Sequence, residues 1–286
     1  MIRRAASLVT GLVLLLAGCS PVALLDAVSP KADYETREAA YGPDPRQGIT
    51  LYRPKTLTAP APVVVFFYGG GWEGGELGDY RFAASALVSQ GYVVAIPDYR
   101  VHPAVAFPAF VEDSARAVAW VKANITGFGG DAGRLFLVGH SAGAYNALML
   151  ALDSRFLAGA GLSPADLAGV VGLAGPYDFL PLSSAVLKTI FAAPDLAATQ
   201  PVTFARADAP PLLLATGDED TTVYPRNTRN LAARLRALGA AVETIEYPGL
   251  GHAGILSALS PLFRGRAPVL ADVMRFIKAR TGEPKS

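Results

Sequence analysis

The chain has 286 residues, 51% of them apolar and 17% charged, with a formal net charge of +1 at pH 7. This is enough apolar material for one large core. The balanced charge, with no basic block or stripe, excludes an electrostatic footprint for nucleic acid. A single cysteine excludes any intramolecular disulfide.

From the amino terminus, residues 1–18 read as a signal peptide: Arg3-Arg4 is followed by an apolar run at 8–17 that is too short to span a bilayer. Leu16-Ala17-Gly18-Cys19 resembles a bacterial lipobox, which makes Cys19 the expected lipidation site and a membrane the expected partner; a signal-anchor is the alternative. Ser20 resembles the residue that sorts such chains to the outer membrane of the cell envelope. Residues 19–47 carry Pro21, Pro30, Pro43 and Pro45 and read as a tether and approach segment outside the main core.

An alternating pattern then begins, which sets a main domain at 48–282. Short apolar runs at 63–68, 92–97, 135–139, 170–174, 211–217 and 242–247 predict strands. Helical stretches are predicted at about 80–90, 111–125, 142–152, 225–238 and 268–278, with Gly91 and Gly239 as carboxyl-terminal caps. Strands apolar on both faces and interleaved with helices predict an α/β fold with a mainly parallel central sheet covered on both sides. The segment at about 176–210 is longer than a connection requires, and it reads as a cap-like insertion near the carboxyl ends of strands.

Chemistry enters at Gly139-His140-Ser141-Ala142-Gly143, between a strand run and a helix-compatible run. G-x-S-x-G in that context is a nucleophile elbow, with Ser141 on a tight turn. A serine needs a base, and only three histidines exist. His140 lies inside the elbow and would point away from Ser141, and His102 sits in an earlier loop. His252, in the glycine-rich loop after the last strand, is the candidate base. The orienting carboxylate belongs after the strand at 211–217, where Asp218, Glu219 and Asp220 are all chemically able; the spacing of Gly217, Asp220 and Val223 favours Asp220. Asp178 is an outside candidate.

The stretch Gly69-Gly70-Gly71-Trp72-Glu73-Gly74 fits a dinucleotide-binding pattern, with Asp98 at the end of the next apolar run. A helix should then open at the third glycine, and Gly75 and Gly78 delay it. The better reading is an oxyanion loop. Gly70 and Gly71 would donate backbone N–H groups together with Ala142, since glycine permits close backbone approach. Trp72, Phe179, Leu180 and Phe191 are candidates for the acyl side of a substrate pocket, or plain core.

Together these motifs resemble the α/β-hydrolase superfamily, in particular the bacterial esterase/lipase group related to hormone-sensitive lipase and the feruloyl/acetyl-esterase-like carboxylesterases. The resemblance rests on YGGGW at 68–72, PDYR at 97–100, FGGD at 128–131, GHSAG at 139–143, GPYD at 175–178, GDEDTTV at 217–223 and GH at 251–252. It implies an α/β-hydrolase fold and serine carboxylic ester hydrolysis, with Ser141, Asp220 and His252 catalytic, a small-molecule ester as substrate, and no metal or cofactor. Tyr68 departs from the commoner histidine of this motif. An arylformamidase-like amidase and a non-catalytic binding lipoprotein on the same scaffold are the alternatives. Oligomeric state is not legible.

Overall fold

The computed structural model describes residues 21–281. The signal peptide and Cys19 lie outside the described residues. Among those described, no helix is long and apolar enough to cross a membrane.

An eight-stranded sheet organises the chain, in the order β1-β2-β4-β3-β5-β6-β7-β8. The strands are β1 (Tyr34–Ala40), β2 (Gly48–Pro54), β3 (Ala61–Phe67), β4 (Val93–Pro97), β5 (Gly130–His140), β6 (Gly169–Leu173), β7 (Leu212–Gly217) and β8 (Val242–Tyr247). The pairs β1–β2 and β2–β4 are antiparallel. From β4 onward every pair is parallel, with registers such as Val65 opposite Leu137 and Val138 opposite Val171. All seven residues of β3 are buried, as expected of a central parallel strand covered on both faces.

The segment expected to be a tether is structured. Residues Pro21–Val28 form α1, and Tyr34–Ala40 form the edge strand β1. The sequence YETREAA has no apolar run because an edge strand keeps both faces largely in water, and its charges protect the open edge. Helix α1 is clasped to the body through Asp26, only 1% exposed. Its carboxylate accepts the backbone N–H of Phe82 at 2.7 Å and Nε of Arg81 at 2.9 Å.

The remaining helices are α2 (Arg81–Val88), α3 (Ala109–Asn124), α4 (Ala142–Leu152), α5 (Ser154–Gly159), α6 (Ala185–Ile190), α7 (Arg226–Ala237), α8 (His252–Ser257) and α9 (Val269–Thr281). Every residue of α4 is buried, so its sequence shows almost no polar face. The segment 176–210 contains α6 and two 3₁₀ turns. It is stitched to the body: Phe107 N–H donates to the Ile190 carbonyl at 2.8 Å, and the Tyr145 hydroxyl donates to the Thr199 carbonyl at 2.7 Å.

Candidate active site

Four loops at the carboxyl ends of β3, β5, β7 and β8 converge, and each brings one part of the site. After β5, Ser141 adopts φ 55° and ψ −123°, a left-handed conformation costly for a residue with a side chain. The flanking glycines explain how the turn is tolerated. A Cβ on Gly139 would lie 2.3 Å from the Gly143 carbonyl oxygen, and one on Gly143 would lie 2.1 Å from the Phe67 carbonyl oxygen. The backbone therefore packs too tightly around Ser141 for any larger residue.

His252 opens α8, directly after Gly251. Its Nε2 stands 2.9 Å from Ser141 Oγ, and its Nδ1 stands 2.7 Å from Asp220 Oδ2. Asp220 is 2% exposed. Its second oxygen, Oδ1, accepts the N–H groups of Thr222 at 2.9 Å and Val223 at 2.8 Å. The β7 and β8 loops are pressed together, since a Cβ on Gly217 would meet the Leu250 carbonyl oxygen at 1.9 Å.

The neighbouring acids take other partners. Asp218 Oδ1 accepts the Gly249 N–H at 2.7 Å, tying the two loops together. Asp178 accepts from Asn230 at 2.7 Å. His102 is joined to the glycine loop by its backbone, whose N–H donates to the Trp72 carbonyl at 2.7 Å. His140 lies under His252, with ring centroids 4.8 Å apart and Nε2 3.3 Å from the His252 carbonyl oxygen. Burial first, and then the nearby His252, push the His140 imidazole down to about 3, which keeps it neutral.

The glycine loop after β3 passes beside the serine. A Cβ on Gly69 would come 3.0 Å from Ser141 Cβ. Gly70, Gly71 and Trp72 have φ values of 144°, 63° and 60° in succession, and the Glu73 and Gly74 N–H groups both donate to the Gly70 carbonyl at 3.1 Å. That reversal demands glycine at 70, where a Cβ would lie 2.2 Å from the Gly74 carbonyl oxygen. Ala142, the first residue of α4, follows Ser141 at the positive end of the helix.

Behind this loop lies a network that joins Tyr68 and Asp98, both visible in the motifs, to Arg46, which the sequence did not reveal. The Tyr68 ring stacks between Tyr80 and Tyr99 at 5.0 and 4.9 Å, and its hydroxyl donates to Asp98 Oδ1. Arg46 donates to the Tyr68 hydroxyl, the Gly75 carbonyl and Asp98 at 2.9, 2.8 and 2.9 Å. Asp98 thus anchors Tyr68 and Arg46, and Arg46 holds the glycine loop at the Gly75 carbonyl. Burial raises the Asp98 carboxyl above the usual range, against the pull of Tyr68 and Arg46. Arg46 lies in a proline-rich stretch with no periodicity and carries no sequence signal; only the fold brings it to Tyr68 and Asp98.

Trp72 and Phe191, 3% and 0% exposed, are packed into an aromatic cluster with Phe110 and Tyr145. Trp72 Nε1 also donates to Asn146 Oδ1 at 3.2 Å. These two side chains are core. Phe179 and Leu180 are half-buried and keep surface towards solvent. A cavity of about 470 Å³, lined by Phe107, Glu112, Arg116, Arg155 and Phe156, opens elsewhere and touches none of Ser141, Asp220 and His252.

A mainly parallel sheet with helices on both faces, carrying Ser141, Asp220 and His252 in that chain order on strand-end loops, defines an α/β-hydrolase fold. The structure of Esterase B from Lactobacillus rhamnosis inhibited by a tributyrin phosphonate shares it, with a TM-score of 0.81 at 20% identity, covering 98% of this chain and 96% of that one. The profile of the BD-FAE family matches residues 49–235, and the chain belongs to that family. Among curated proteins it is similar to Esterase LipC of Mycobacterium tuberculosis, 32% identical over 76% of this chain and 59% of that protein. It is also similar to isoprenylcysteine alpha-carbonyl methylesterase ICME of Arabidopsis thaliana, 28% identical over 86% of this chain and 63% of that protein. The chain thus spans about three fifths of the length of these curated relatives.

Proposed function

We propose that the protein is a serine carboxylic ester hydrolase working through an acyl-enzyme. The observation that carries this reading is His252 bridging Ser141 and Asp220 through its two ring nitrogens, at 2.9 and 2.7 Å. Ser141 Oγ attacks the ester carbonyl carbon while His252 Nε2 takes its proton, and Asp220 holds the Nδ1–H tautomer and stabilises the imidazolium that forms. The carbonyl oxygen becomes an oxyanion held by the backbone N–H groups of Gly70, Gly71 and Ala142. His252 returns the proton to the departing alkoxide. Water, deprotonated by the same nitrogen, then releases the acid and restores Ser141.

The substrate class is short or medium acyl esters, or aryl esters. It accords with Phe179, which stacks on Trp72 of the glycine loop at 6.3 Å, and Leu180 keeping exposed apolar surface, while Trp72 and Phe191 are packed away. The test is hydrolysis of p-nitrophenyl acetate, butyrate and octanoate by the protein and by Ser141→Ala. Turnover lost in the variant supports the reading. Equal, negligible rates in both reject it, and turnover of an N-formyl aryl amide instead would move the activity to amide cleavage.

We further propose that Cys19 is lipidated and anchors the chain in the cell envelope. The lipobox-like Leu16-Ala17-Gly18-Cys19 supports this. Cys19→Ala should release the protein from the membrane fraction, and unchanged partitioning would reject the anchor.

A further inference from the structure

Among the described residues, seven large apolar side chains are strongly exposed: Leu24 (45%), Val28 (54%), Leu196 (40%), Tyr224 (54%), Leu238 (37%), Leu262 (50%) and Phe263 (37%). Scattered singly, such residues need no explanation. Four of them are not scattered. Leu24 and Val28 stand one turn apart on the same side of α1. Ser29, the residue after Val28, has its Oγ 2.7 Å from Ser260 Oγ in a buried contact, and Ser260 Oγ in turn accepts the Leu262 N–H at 3.3 Å. One hydrogen-bonded junction thus joins the carboxyl end of α1, the helix that carries Leu24 and Val28, to the segment that carries Leu262 and Phe263.

The exposure on α1 is not that of a loose end. Its other side packs Val22 and Leu25 against the core, and Asp26 is held by Arg81 and Phe82. Asp26 is the acid of this side, and Arg81 at 2.8 Å and Lys31 at 3.5 Å neutralise it. Arg264 and Arg266 follow Phe263 in the chain. Arg264 is partly buried and donates to the Leu259 carbonyl at 3.1 Å, while Arg266 is exposed; an apolar patch followed in the chain by an exposed cation suits an anionic phospholipid surface.

We propose that Leu24, Val28, Leu262 and Phe263 form the surface by which this protein lies against a phospholipid membrane. The proposal rests on the reading of Cys19 as lipidated and is independent of the esterase chemistry. Cys19 precedes Leu24 by five residues. Even a fully extended chain of that length spans at most about 18 Å, so an acyl group on Cys19 brings the bilayer to this patch and to no distant part of the body. A second copy of the chain is the rival occupant. Four partly exposed side chains offer far less than the ~800 Å² per partner of a standard protein interface.

Docking there sets the posture of the active site. The glycine loop is continuous through the 77–80 turn with Arg81, which holds α1, and the Tyr80 hydroxyl donates to the Gly69 carbonyl at 3.1 Å. His252 opens α8, which ends at Ser257, and the chain then reaches Ser260 and Leu262 within five residues. Two chain segments thus lead from the site to the membrane surface, and the orientation of one fixes that of the other.

The test uses the full-length, membrane-processed chain reconstituted into phosphatidylglycerol/phosphatidylethanolamine vesicles. Because Cys19 is the only cysteine and its thiol is consumed by lipidation, Leu262→Cys introduces a single free thiol for an environment-sensitive fluorophore. Leu238→Cys, beyond the end of α7, is the control. Quenching by lipid-borne quenchers about fivefold stronger at 262 than at 238 supports the proposal. Equal quenching in protein that floats with the vesicles overturns the docking surface while leaving the anchor intact. Protein that fails to float overturns the anchor and the proposal with it, and efficient cross-linking of 262 to 262 between chains in detergent assigns the patch to a second copy instead. Hydrolysis of a soluble p-nitrophenyl ester, measured alongside, should be unchanged in both variants, so loss of the esterase reading is seen separately.

Discussion

Replacing Asp220 by asparagine tests the site at a single atom. Asp220 Oδ1 accepts the Thr222 and Val223 N–H groups at 2.9 and 2.8 Å, while Oδ2 faces His252 Nδ1 at 2.7 Å. Asparagine has only one acceptor oxygen, and the two part-buried N–H groups of Thr222 and Val223 already occupy that side; leaving such donors unpaired costs up to about 1–3 kcal/mol each. The oxygen therefore stays with Thr222 and Val223, and the amide NH₂ points at His252. It donates to Nδ1, so the ring proton moves to Nε2 and is aimed at Ser141. In that tautomer the imidazole has no lone pair to receive the serine proton. The same tautomer error in a serine-protease triad lowers kcat about 10⁴-fold, equivalent to about 5.5 kcal/mol of barrier. We expect Asp220→Asn to reduce kcat on p-nitrophenyl butyrate by about that factor, with little change in melting temperature. Asp218→Asn keeps a carbonyl oxygen for the Gly249 N–H, so kcat should stay within about threefold of the parent. Asp220→Asn retaining more than about a tenth of kcat, or a larger loss in Asp218→Asn, would refute the assignment.

Three further outcomes are expected. Gly143→Ala puts a Cβ 2.1 Å from the Phe67 carbonyl oxygen, so β3 and α4 must separate; urea denaturation should show a loss of about 2 kcal/mol or more, and an unchanged midpoint would contradict the packing. Tyr68→Phe keeps the ring stacked but removes the hydroxyl shared by Asp98 and Arg46. It should cost about 1–2 kcal/mol of stability and lower kcat about tenfold with KM nearly constant; full activity would show that the network does not set the glycine loop. His140 binds its proton at about 3 when folded, against 6.5 for the free side chain. The unfolded chain therefore holds the extra proton between those values, and stability should fall by up to about 1.4 kcal/mol per pH unit as pH drops from about 6.5 toward 3. Measured by denaturation midpoint against pH, His140→Gln should flatten that slope, and parallel slopes in both proteins would exclude His140 as its source.

The sequence by itself determined the parts with strong local grammar. Buried parallel strands are apolar on both faces, so the runs at 63–68, 135–139 and 211–217 could be read directly, and β3, β5 and β7 lie there. Gly139 and Gly143 reveal the elbow because only glycine fits within 2.3 Å of neighbouring backbone, a constraint written into the residues themselves. Tertiary structure decided what has no such grammar. Strand β1 is polar because it is an edge, so a proline-rich stretch concealed both it and α1. The choice among Asp218, Glu219 and Asp220 depended on which carboxylate the pressed β7 and β8 loops turn towards His252, and adjacent acids in one loop differ in direction, not in chemistry. Trp72 and Phe191 could have lined a pocket or filled a core, and only the aromatic rings around them closed that question. Arg46 meets Tyr68 and Asp98 across 22 and 52 residues. Such pairings carry no periodic signal, because they are made by the folding of distant segments onto one loop.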